Sequence, residues 1–508
     1  MKSLSTFAPS APSRSLFVWS AFLLFAALLA ALTLRHAMWL DEIEAWLVVR
    51  DSPSIAALFH NLHSEGHPSL WYLLLYPLTR ITSNPVAMQA LNYLIALLLA
   101  WTVLTSPRLH PALASLIVFS SILFNEYSLV ARNYALATLF ILLAVRVLLA
   151  SKPRPILAFV LLGLAVNTHF LAIPVVLTIA AWFVLTKLLS RSLSSPRSLD
   201  IPRLLTCASV LLVSLLLCYL TVRPAPDLAP IDLHQPSTLG HFLILEGRLW
   251  RIFFHLPIGH LSPHLIDLLD PSRVPSILAS LLSLATLLLA TSAFRSRSAR
   301  LLFLAAAVFE IVILAAIMLL PEVRHYGFIF VAFVAAVLVD AAHPRPRRAA
   351  PLALCILLLI LGQQCLLTLS ISAQEWKHPF SASRQTALWI RQNGLAANPV
   401  VLMPIDGSNA VLGYLEKPRA WFPACQCWAS FPLRNVHVQP QRPLALSDLR
   451  AAHASSPLPV LVITNSPLAP ATQHALALSL LYSSGTDAIK QNENYLVYRQ
   501  SDSQPGSM

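Results

Sequence analysis

Long apolar segments recur along the chain, and they constrain its fold more than any other feature. A helix needs about 20 apolar residues to cross the ~30 Å hydrocarbon core of a bilayer. Ten segments meet or approach that length, and residues 326–342 add an eleventh. The ten are residues 15–38, 85–105, 111–124, 133–150, 155–168, 170–189, 203–222, 274–294, 301–320 and 349–372. We therefore expect a polytopic α-helical membrane protein with about 11 transmembrane helices.

Charged residues are too scarce for a water-soluble protein of 508 residues. Asp, Glu, Lys and Arg form 11% of the chain, whereas soluble domains carry about 25%. A soluble globule of this composition, with 57% hydrophobic residues, would expose large apolar patches. A disordered chain is instead poor in apolar residues. The composition thus excludes a soluble enzyme and a disordered protein.

The basic residues, which give a net charge of +13, lie mostly in short loops between apolar segments. If residues 69–78 lie along the outer interface as an amphipathic helix, without crossing the membrane, the basic clusters fall on one side. This arrangement predicts a cytoplasmic N-terminus and an extracytoplasmic C-terminus. The clusters are Lys2 with Arg14, Arg108, Lys152 with Arg154, residues 187–203, residues 295–300 and residues 345–348. The charge then reflects orientation and contact with membrane lipids, and we expect no nucleic-acid partner.

Acidic residues follow the first apolar segment directly. Asp41, Glu42 and Glu44 lie at the start of the first outward loop, residues 39–84. A carboxylate near the hydrocarbon boundary is costly unless it is hydrated, paired or lines a cavity. These residues could supply a general base or a metal ligand. The alternative is an ordinary acidic helix end that complements the helix dipole.

Histidines and arginines are the other polar candidates. The spacing of His60, His63 and His67 could form a metal site, although Gly66 and Pro68 interrupt a helix there. His67 fits the rim of a pocket or a plain interfacial position.

Two arginines stand at outward turns. Arg132 follows Glu126 across a short turn, and a structural ion pair between them is the alternative to a functional role. Arg324 opens a late apolar segment, against the positive-inside rule. Because the planar guanidinium binds phosphate oxygens in pairs, arginines at these turns would suit a buried phosphate.

Together these residues resemble those of a known family. The set comprises Asp41–Glu42, His67–Pro68 before Leu-Trp-Tyr-Leu, Arg132-x-Tyr134-Ala-Leu, His169 and Arg324–His325–Tyr326. It is similar to the GT-C superfamily of membrane glycosyltransferases, in its bacterial family 39-like branch related to protein O-mannosyltransferases and the lipid A aminoarabinose transferase. The resemblance covers residues 15–345 and is strongest in the first 170. The sequence departs from it at Ser69, where many relatives have a second proline.

The resemblance implies an activity and roles for these residues. The donor would be a sugar on a polyprenyl phosphate, and the acceptor a hydroxyl of a lipid, glycan or protein outside the bacterial cytoplasmic (inner) membrane. Transfer would invert the anomeric carbon. No cofactor is certain, but a divalent cation held by Asp41, Glu42 and His67 is an open alternative. The implied catalytic residues are Asp41 and Glu42, the donor phosphate would bind Arg132, Arg324, His325 and Tyr326, and the substrate pocket would contain His67, Glu126, Tyr134 and His169.

The composition changes after residue 372, which suggests two domains. Residues 1–372 would form the membrane domain, with a second large loop at 223–273, and residues 373–500 an extracytoplasmic α/β domain. Its helices would be ASRQTALWIRQNG, ALSDLRAAHA and ATQHALALSLLYSS; its strands, in a mainly parallel sheet, would be VVLMPID, LPVLVITN and NYLVYRQ. We expect residues 501–508 to be disordered. For Cys425 and Cys427 we expect free or intermolecular thiols, with a strained local bridge or a metal site as alternatives.

Other functional classes remain as alternatives. A lipid-linked substrate transporter or flippase would commonly show Gly-interrupted helices and internal repeats. The chain has only 12 glycines and no evident repeat between its halves. A non-catalytic envelope assembly protein is the third class. The sequence favours the transferase.

Overall fold

The structure is a computed structural model of the 508-residue chain. It describes residues 11–63, 65–194, 200–223, 239–254, 262–271, 274–318, 321–343, 350–404, 407–417, 419–431 and 442–501. The predicted loop 223–273 falls only partly within these ranges. The predicted disordered tail lies outside them after Ser501.

Among the described residues up to Lys377, the chain is helical apart from the connections between helices. The long ones are α1 (Ala11–Arg35), α5 (Val86–Leu104), α9 (Ile173–Ser194), α10 (Ile201–Val222), α15 (Arg297–Ile317), α16 (Val323–Ala342) and α17 (Ala350–Lys377). The shorter ones are α2 (Leu40–Asp51), α3 (Ile55–Leu62), α4 (Leu70–Ile81), α6 (Pro111–Val118), α7 (Tyr134–Leu148), α8 (Pro155–Thr168), α11 (Leu239–Glu246), α12 (Trp250–Phe253), α13 (Pro263–Leu269) and α14 (Ile277–Ser292). A π-helix, Ile122–Leu129, follows α6, and a 3₁₀ turn, Phe170–Ala172, precedes α9.

Each predicted apolar segment overlaps a described helix. The seven long helices are each apolar and long enough to cross a membrane. The pair formed by α6 and the π-helix, bent by 50°, could form one more span, and α7, α8 and α14 are shorter apolar helices. Residues 70–78 fall in α4 and Ser69 is its N-cap; the 12 residues of α4 would extend only about 18 Å. This helix is therefore too short to cross the bilayer core, in keeping with the interfacial position predicted for it.

One helix is central to the packing. Almost every side chain of α16 between Tyr326 and Val339 is buried. A helix that is apolar on all sides belongs inside a bundle. Its first turn, which contains Arg324, is thereby fixed at one end of the membrane part.

The C-terminal residues form a mixed sheet with helices around it. The strands β1 (Val400–Met403), β2 (Ala420–Phe422), β3 (Cys427–Ala429), β4 (Leu461–Thr464), β5 (Leu478–Ser483) and β6 (Leu496–Gln500) have the order β3-β2-β1-β4-β6-β5. Only β1 pairs in parallel, with β2 and β4; the other pairs are antiparallel. The prediction of a mainly parallel sheet is therefore wrong. The accompanying helices are α18 (Ser383–Gln392), α19 (Asn409–Leu415), α20 (Leu446–His453) and α21 (Pro470–Ala475), with a 3₁₀ turn at Gln491–Glu493.

Two local predictions in this region fail for identifiable reasons. The predicted helix ATQHALALSLLYSS stops at Ala475, because Ala477 adopts a positive φ of 51° and the residues after it pair with β6 as β5. Cys425 and Cys427 form a disulfide, contrary to the free thiols expected. They stand in the tight turn between antiparallel β2 and β3, which brings their Cα atoms to 5.2 Å, within the range that a bridge requires.

The helix that carries Asp41 lies between the membrane helices and the C-terminal region. Helix α2 packs on α4 on one side and on α19 on the other. Gly413 of α19 is needed for this approach, because a Cβ atom there would overlap the side chain of Ile43. Helix α2 is thus covered by the C-terminal region.

Candidate active site

Asp41 and Glu42 occupy the first turn of α2 but face different surroundings. The chain runs extended through Trp39, the N-cap residue, before the helix begins at Leu40. Successive helical residues are rotated by about 100° from each other. The Asp41 side chain keeps 31% of its surface exposed, whereas that of Glu42 is fully buried. The two carboxylates therefore do not share one exposed site.

Two arginines from distant parts of the chain hold Asp41. Arg324 donates from Nη2 to Asp41 Oδ2 at 2.7 Å, and its own side chain is only 9% exposed. Arg132 donates to the backbone carbonyl oxygen of Asp41. Burial by itself would raise the pKa of Asp41, but Arg324 and then Arg132 outweigh it, so this pKa lies below its usual value. Asp41 is thus an ionised, partly accessible carboxylate.

His67 extends this cluster through Arg132. Nη2 of Arg132 lies 2.8 Å from Nε2 of His67. Because a guanidinium can only donate, Nε2 must accept, which makes the ring of His67 neutral. The imidazole therefore positions Arg132 beside Asp41.

A second cationic arm comes from the C-terminal region. Lys490 Nζ lies 3.2 Å from a carboxylate oxygen of Glu322, and Arg324 Nη1 lies 3.0 Å from the same oxygen. Both cations also contact the ring of Trp39, with Lys490 at 4.2 Å and Arg324 at 4.6 Å from the ring. The side chain of Glu322 is 46% exposed, so an anion from solution or membrane could compete for these two cations.

Glu42 forms a buried ion pair instead of entering the site. Its Oε2 atom lies 3.0 Å from Nε2 of His36, and Nδ1 of that ring lies 3.4 Å from Glu375. Burial would lower the pKa of His36, but the two carboxylates raise it to about 10. The other carboxylate oxygen of Glu42, Oε1, accepts from the backbone N–H of Ala131 at 2.6 Å. Glu42 therefore fixes the turn that presents Arg132, and this placement argues against its predicted role as a second catalytic carboxylate.

Residues of the C-terminal region hold the segment that precedes Asp41. The backbone N–H of Leu40 donates to Glu493 at 3.0 Å, and that of Met38 donates to the Tyr414 hydroxyl at 2.9 Å. Ser383 donates to the carbonyl oxygen of Met38 at 2.8 Å. Burial raises the pKa of Glu493 to about 7, although its hydrogen bonds lower it. The geometry of Asp41 thus depends on residues that follow it by more than 340 positions.

Two of the predicted pocket residues lie behind His67. The ring of His169 is 5.4 Å from that of His67 and 4.4 Å from that of Tyr134, and both His169 and Tyr134 are buried. Nδ1 of His169 accepts from the backbone N–H of Leu171 at 3.1 Å. These rings support His67 and do not form an exposed pocket surface.

The remaining predicted residues are divided. Glu126 is partly buried and interacts electrostatically with Arg324, and the ion pair with Arg132 that was the structural alternative is not found among the described residues. Nδ1 of His325 accepts from the backbone N–H of Glu322 at 2.9 Å and so caps the start of α16. Tyr326 is buried and donates to the carbonyl oxygen of Leu245 at 3.2 Å. This placement argues against the predicted contact of Tyr326 with the donor phosphate, because its hydroxyl points to α11 and away from Asp41.

The side chains considered as ligands of a divalent cation do not converge on one point. Glu42 bonds to His36 and Ala131, and His67 bonds to Arg132. His63 bonds to the carbonyl oxygen of Arg223 at 2.6 Å, away from His67. Within the described ranges, no group of three or more His, Cys, Asp or Glu side chains could hold a metal ion. The residues present do not fit the metal site considered for this loop.

Sequence reasoning missed Lys490, Trp39 and the His36–Glu375 contact. Trp39 was adjacent to the acidic pair and could have been noticed as an aromatic partner for cations. Nothing in the sequence around Lys490 connects it with Glu322, which lies 168 positions earlier.

No protein-family model matches the sequence, and no curated protein matches it either. A solved structure does resemble this one: the crystal structure of ArnT from Cupriavidus metallidurans bound to undecaprenyl phosphate. The TM-score is 0.50 at 14% sequence identity, and the similarity covers 98% of this chain and 100% of ArnT. The correspondence therefore includes both the membrane helices and the C-terminal sheet. The chain therefore has a multi-pass membrane fold like that of ArnT, in agreement with the polytopic helical fold that the sequence predicted.

Proposed function

We propose that the chain is a glycosyltransferase that moves a sugar from a polyprenyl-phosphate donor to an acceptor hydroxyl, with inversion at the anomeric carbon. The observation that carries this proposal is the ionised, partly exposed carboxylate of Asp41 beside Arg324 and Arg132. A carboxylate suits the acceptor proton, and buried arginines suit a phosphate. The fold adds support, because ArnT was solved with undecaprenyl phosphate bound.

The reaction would be one displacement. Asp41 accepts the proton of the acceptor hydroxyl while the oxygen of that hydroxyl attacks the anomeric carbon. The bond between that carbon and the phosphate oxygen breaks, and polyprenyl phosphate leaves with the electron pair. Arg324 and Arg132 stabilise the negative charge that develops on the leaving phosphate. A single base is sufficient, which agrees with the burial of Glu42.

Arg324 would also couple donor binding to the base. In the structure it serves two carboxylates, Asp41 at 2.7 Å and Glu322 at 3.0 Å. A donor phosphate competes for the same guanidinium and weakens its contact with Asp41. The carboxylate then becomes a better proton acceptor when the donor is in place.

The same proposal includes an orientation and a domain division. Residues 1–372 form the membrane domain and residues 373–500 an extracytoplasmic α/β domain, so that Asp41 opens to the outer face of a bacterial inner membrane. This orientation rests on the basic clusters at the opposite helix ends, which the positive-inside rule assigns to the cytoplasm.

Substitution of the proposed base tests the activity. Membranes containing the wild type, Asp41→Asn or Asp51→Asn would be supplied with radiolabelled polyprenyl-phosphate sugars, and label in envelope acceptors measured. Mass spectrometry of envelope glycans from cells with and without the protein identifies the acceptor. Asp51 is a matched control because it lies on the same helix but pairs with Arg50.

We expect Asp41→Asn to lower transfer by about 10²–10⁴-fold, the usual contribution of a general base. Asp51→Asn should remain within about threefold of the wild type. Full transfer by Asp41→Asn would remove Asp41 from the mechanism. Movement of the lipid-linked sugar across the membrane without a new covalent bond would instead identify a flippase.

A further inference from the structure

A cavity of about 450 Å³ lies at the other end of α16 from Asp41. Its walls come from the start of α6, the turn between α14 and α15, the last turns of α16 and the start of α17. Arg324 and Asp340, at the two ends of α16, are 16 residues apart, which corresponds to about 24 Å along the helix. Because the hydrocarbon core is about 30 Å thick, the cavity and the Asp41 site lie near opposite membrane edges.

A second cavity of about 320 Å³ adjoins the first. It lies between the ends of α5 and α7, and Arg146, Leu149 and Leu338 contribute to its wall. Arg108 lines both cavities. Its guanidinium is therefore in reach of a ligand that enters either space.

The turn that carries Arg108 is held rigidly. Arg14 of α1 donates from Nη2 to the carbonyl oxygens of Ser106, at 2.9 Å, and Leu109, at 3.1 Å, on either side of Arg108. Arg108 itself is exposed and makes no hydrogen bond with the described residues. The backbone that carries Arg108 is therefore fixed before any ligand binds.

Positive charge predominates around the two cavities. The three arginines Arg108, Arg146 and Arg295 line them, and Asp340 is the carboxylate among their described lining residues. Asp340 accepts from the backbone N–H groups of Arg295, at 2.9 Å, and Ser296, at 2.6 Å, and so caps the start of α15. The surroundings therefore favour an anionic ligand.

The walls below this charge are apolar and open toward lipid. Leu113, Leu354 and Leu357 line the larger cavity, and Leu354 and Leu358 are 42% and 43% exposed on α17. Helix α17 is itself a membrane-spanning candidate, so these exposed leucines face hydrocarbon. The larger cavity has a volume typical of ligand pockets, about 300–1,000 Å³. A ligand that matches both the arginines and the leucine walls has a phosphate and a long apolar chain.

We propose that the paired cavities bind one anionic diacyl phospholipid, with its phosphate between Arg108 and Arg295 and its acyl chains along the leucine walls. Basic pockets between membrane helices bind anionic headgroups in this way. The site is separate from the donor site and does not depend on the proposed transfer reaction. It would hold the ends of α6, α16 and α17 together at the membrane surface opposite Asp41.

Native mass spectrometry of the full-length protein in detergent tests this proposal. The protein would be equilibrated with phosphatidylglycerol or with phosphatidylethanolamine, and bound lipid counted for the wild type and three variants. Arg108→Ala removes the cation, and Leu354→Trp obstructs the cavity from the lipid side. Arg154→Ala is the control, because Arg154 is exposed just before the start of α8 and lines neither cavity. Thermal unfolding confirms that each variant is folded.

We expect the wild type to retain phosphatidylglycerol at least fivefold more than phosphatidylethanolamine. Arg108→Ala and Leu354→Trp should each reduce that retention at least fivefold, while Arg154→Ala should not change it. Equal retention of the two lipids, or an equal loss in Arg154→Ala, would overturn the proposal. So would displacement of the lipid by glycerol phosphate, since this result indicates a site for a free anion.

Discussion

His36→Gln should remove a pH-dependent part of the stability of the fold. His36 is fully buried between Glu42, at 3.0 Å, and Glu375, at 3.4 Å. These carboxylates, against the effect of burial, raise its pKa from 6.5 to about 10. Because the folded pKa lies above the unfolded one, the stabilisation is complete below about pH 6.5 and is lost as the pH approaches 10.

The size of the effect follows from this pKa change. A change from 6.5 to about 10, at about 1.4 kcal/mol for each tenfold, corresponds to about 5 kcal/mol. Removal of one member of a buried ion pair costs about 3–5 kcal/mol, because the partner charge stays buried. We therefore expect His36→Gln to be several kcal/mol less stable than the wild type near neutral pH, and the two proteins to become similar near pH 10.

Reversible chemical unfolding of the purified protein in detergent, followed from pH 6 to pH 10, measures this difference. His378→Gln is the control, because His378 is exposed just beyond α17. Its unfolding free energy should follow the wild type at every pH. A gap between the wild type and His36→Gln that stays constant from pH 6 to pH 10 would refute the reasoning, since a neutral His36 gives no such pH dependence.

Three further substitutions have expected outcomes. Lys490→Met should weaken equilibrium binding of polyprenyl phosphate about tenfold, which is about 1.4 kcal/mol, whereas the control Lys377→Met should not weaken it. Equal affinities of Lys490→Met and the wild type would exclude a role for Lys490 in binding. Both carboxylate oxygens of Glu310 are buried without a partner among the described residues, so Glu310→Met should raise stability by about 1–3 kcal/mol in thermal unfolding. In Gly327→Ala, the new Cβ would lie 2.8 Å from Cζ of Tyr127, and we expect a loss of about 1–3 kcal/mol in the same assay. An unchanged melting temperature in Glu310→Met would show that the buried carboxylate is not costly, and an unchanged one in Gly327→Ala would show that the added methyl group is accommodated.

The convergence of Asp41, Arg132 and Arg324 was accessible from the sequence. Each follows or opens an apolar segment, and the positive-inside rule puts these three segment ends on the same side of the membrane. Asp41 and Arg324 are 283 residues apart but form an ion pair. Apolar periodicity and loop charge are sufficient to predict such a meeting, because helices that span a membrane place their ends in only two planes.

The directions of individual side chains could not be predicted from the apolar segments and the loop charges. Glu42 follows Asp41 by one residue and Tyr326 follows Arg324 by two, and the resulting rotations of about 100° and 200° point them into the protein. Glu375, which shares the His36 ring with Glu42, comes from the end of α17, more than 330 residues after His36. Only the packing of α17 against α1 determines that contact, and no local pattern encodes it.

The C-terminal region limited prediction for a related reason. Leu478, Leu480 and Tyr482 could belong to an apolar helix or to a strand. The choice is made by pairing with β6, which lies next to β4 in the sheet. The region also supplies Lys490 to the Asp41 site, so sequence analysis of the membrane segments by themselves omits part of the proposed active site.

The charges around Asp41 have a consequence for the pH dependence of transfer. Arg324 keeps the pKa of Asp41 below its usual value in the absence of donor, and Arg324 is also the cation that we propose for the donor phosphate. A bound phosphate draws on that guanidinium, so the pKa of Asp41 rises in the complex. The acid limb of kcat, which reports the complex, should therefore lie at higher pH than the acid limb of kcat/KM, which reports the free enzyme. If both limbs coincide, Arg324 does not exchange Asp41 for the phosphate, and the donor binds elsewhere in the cluster.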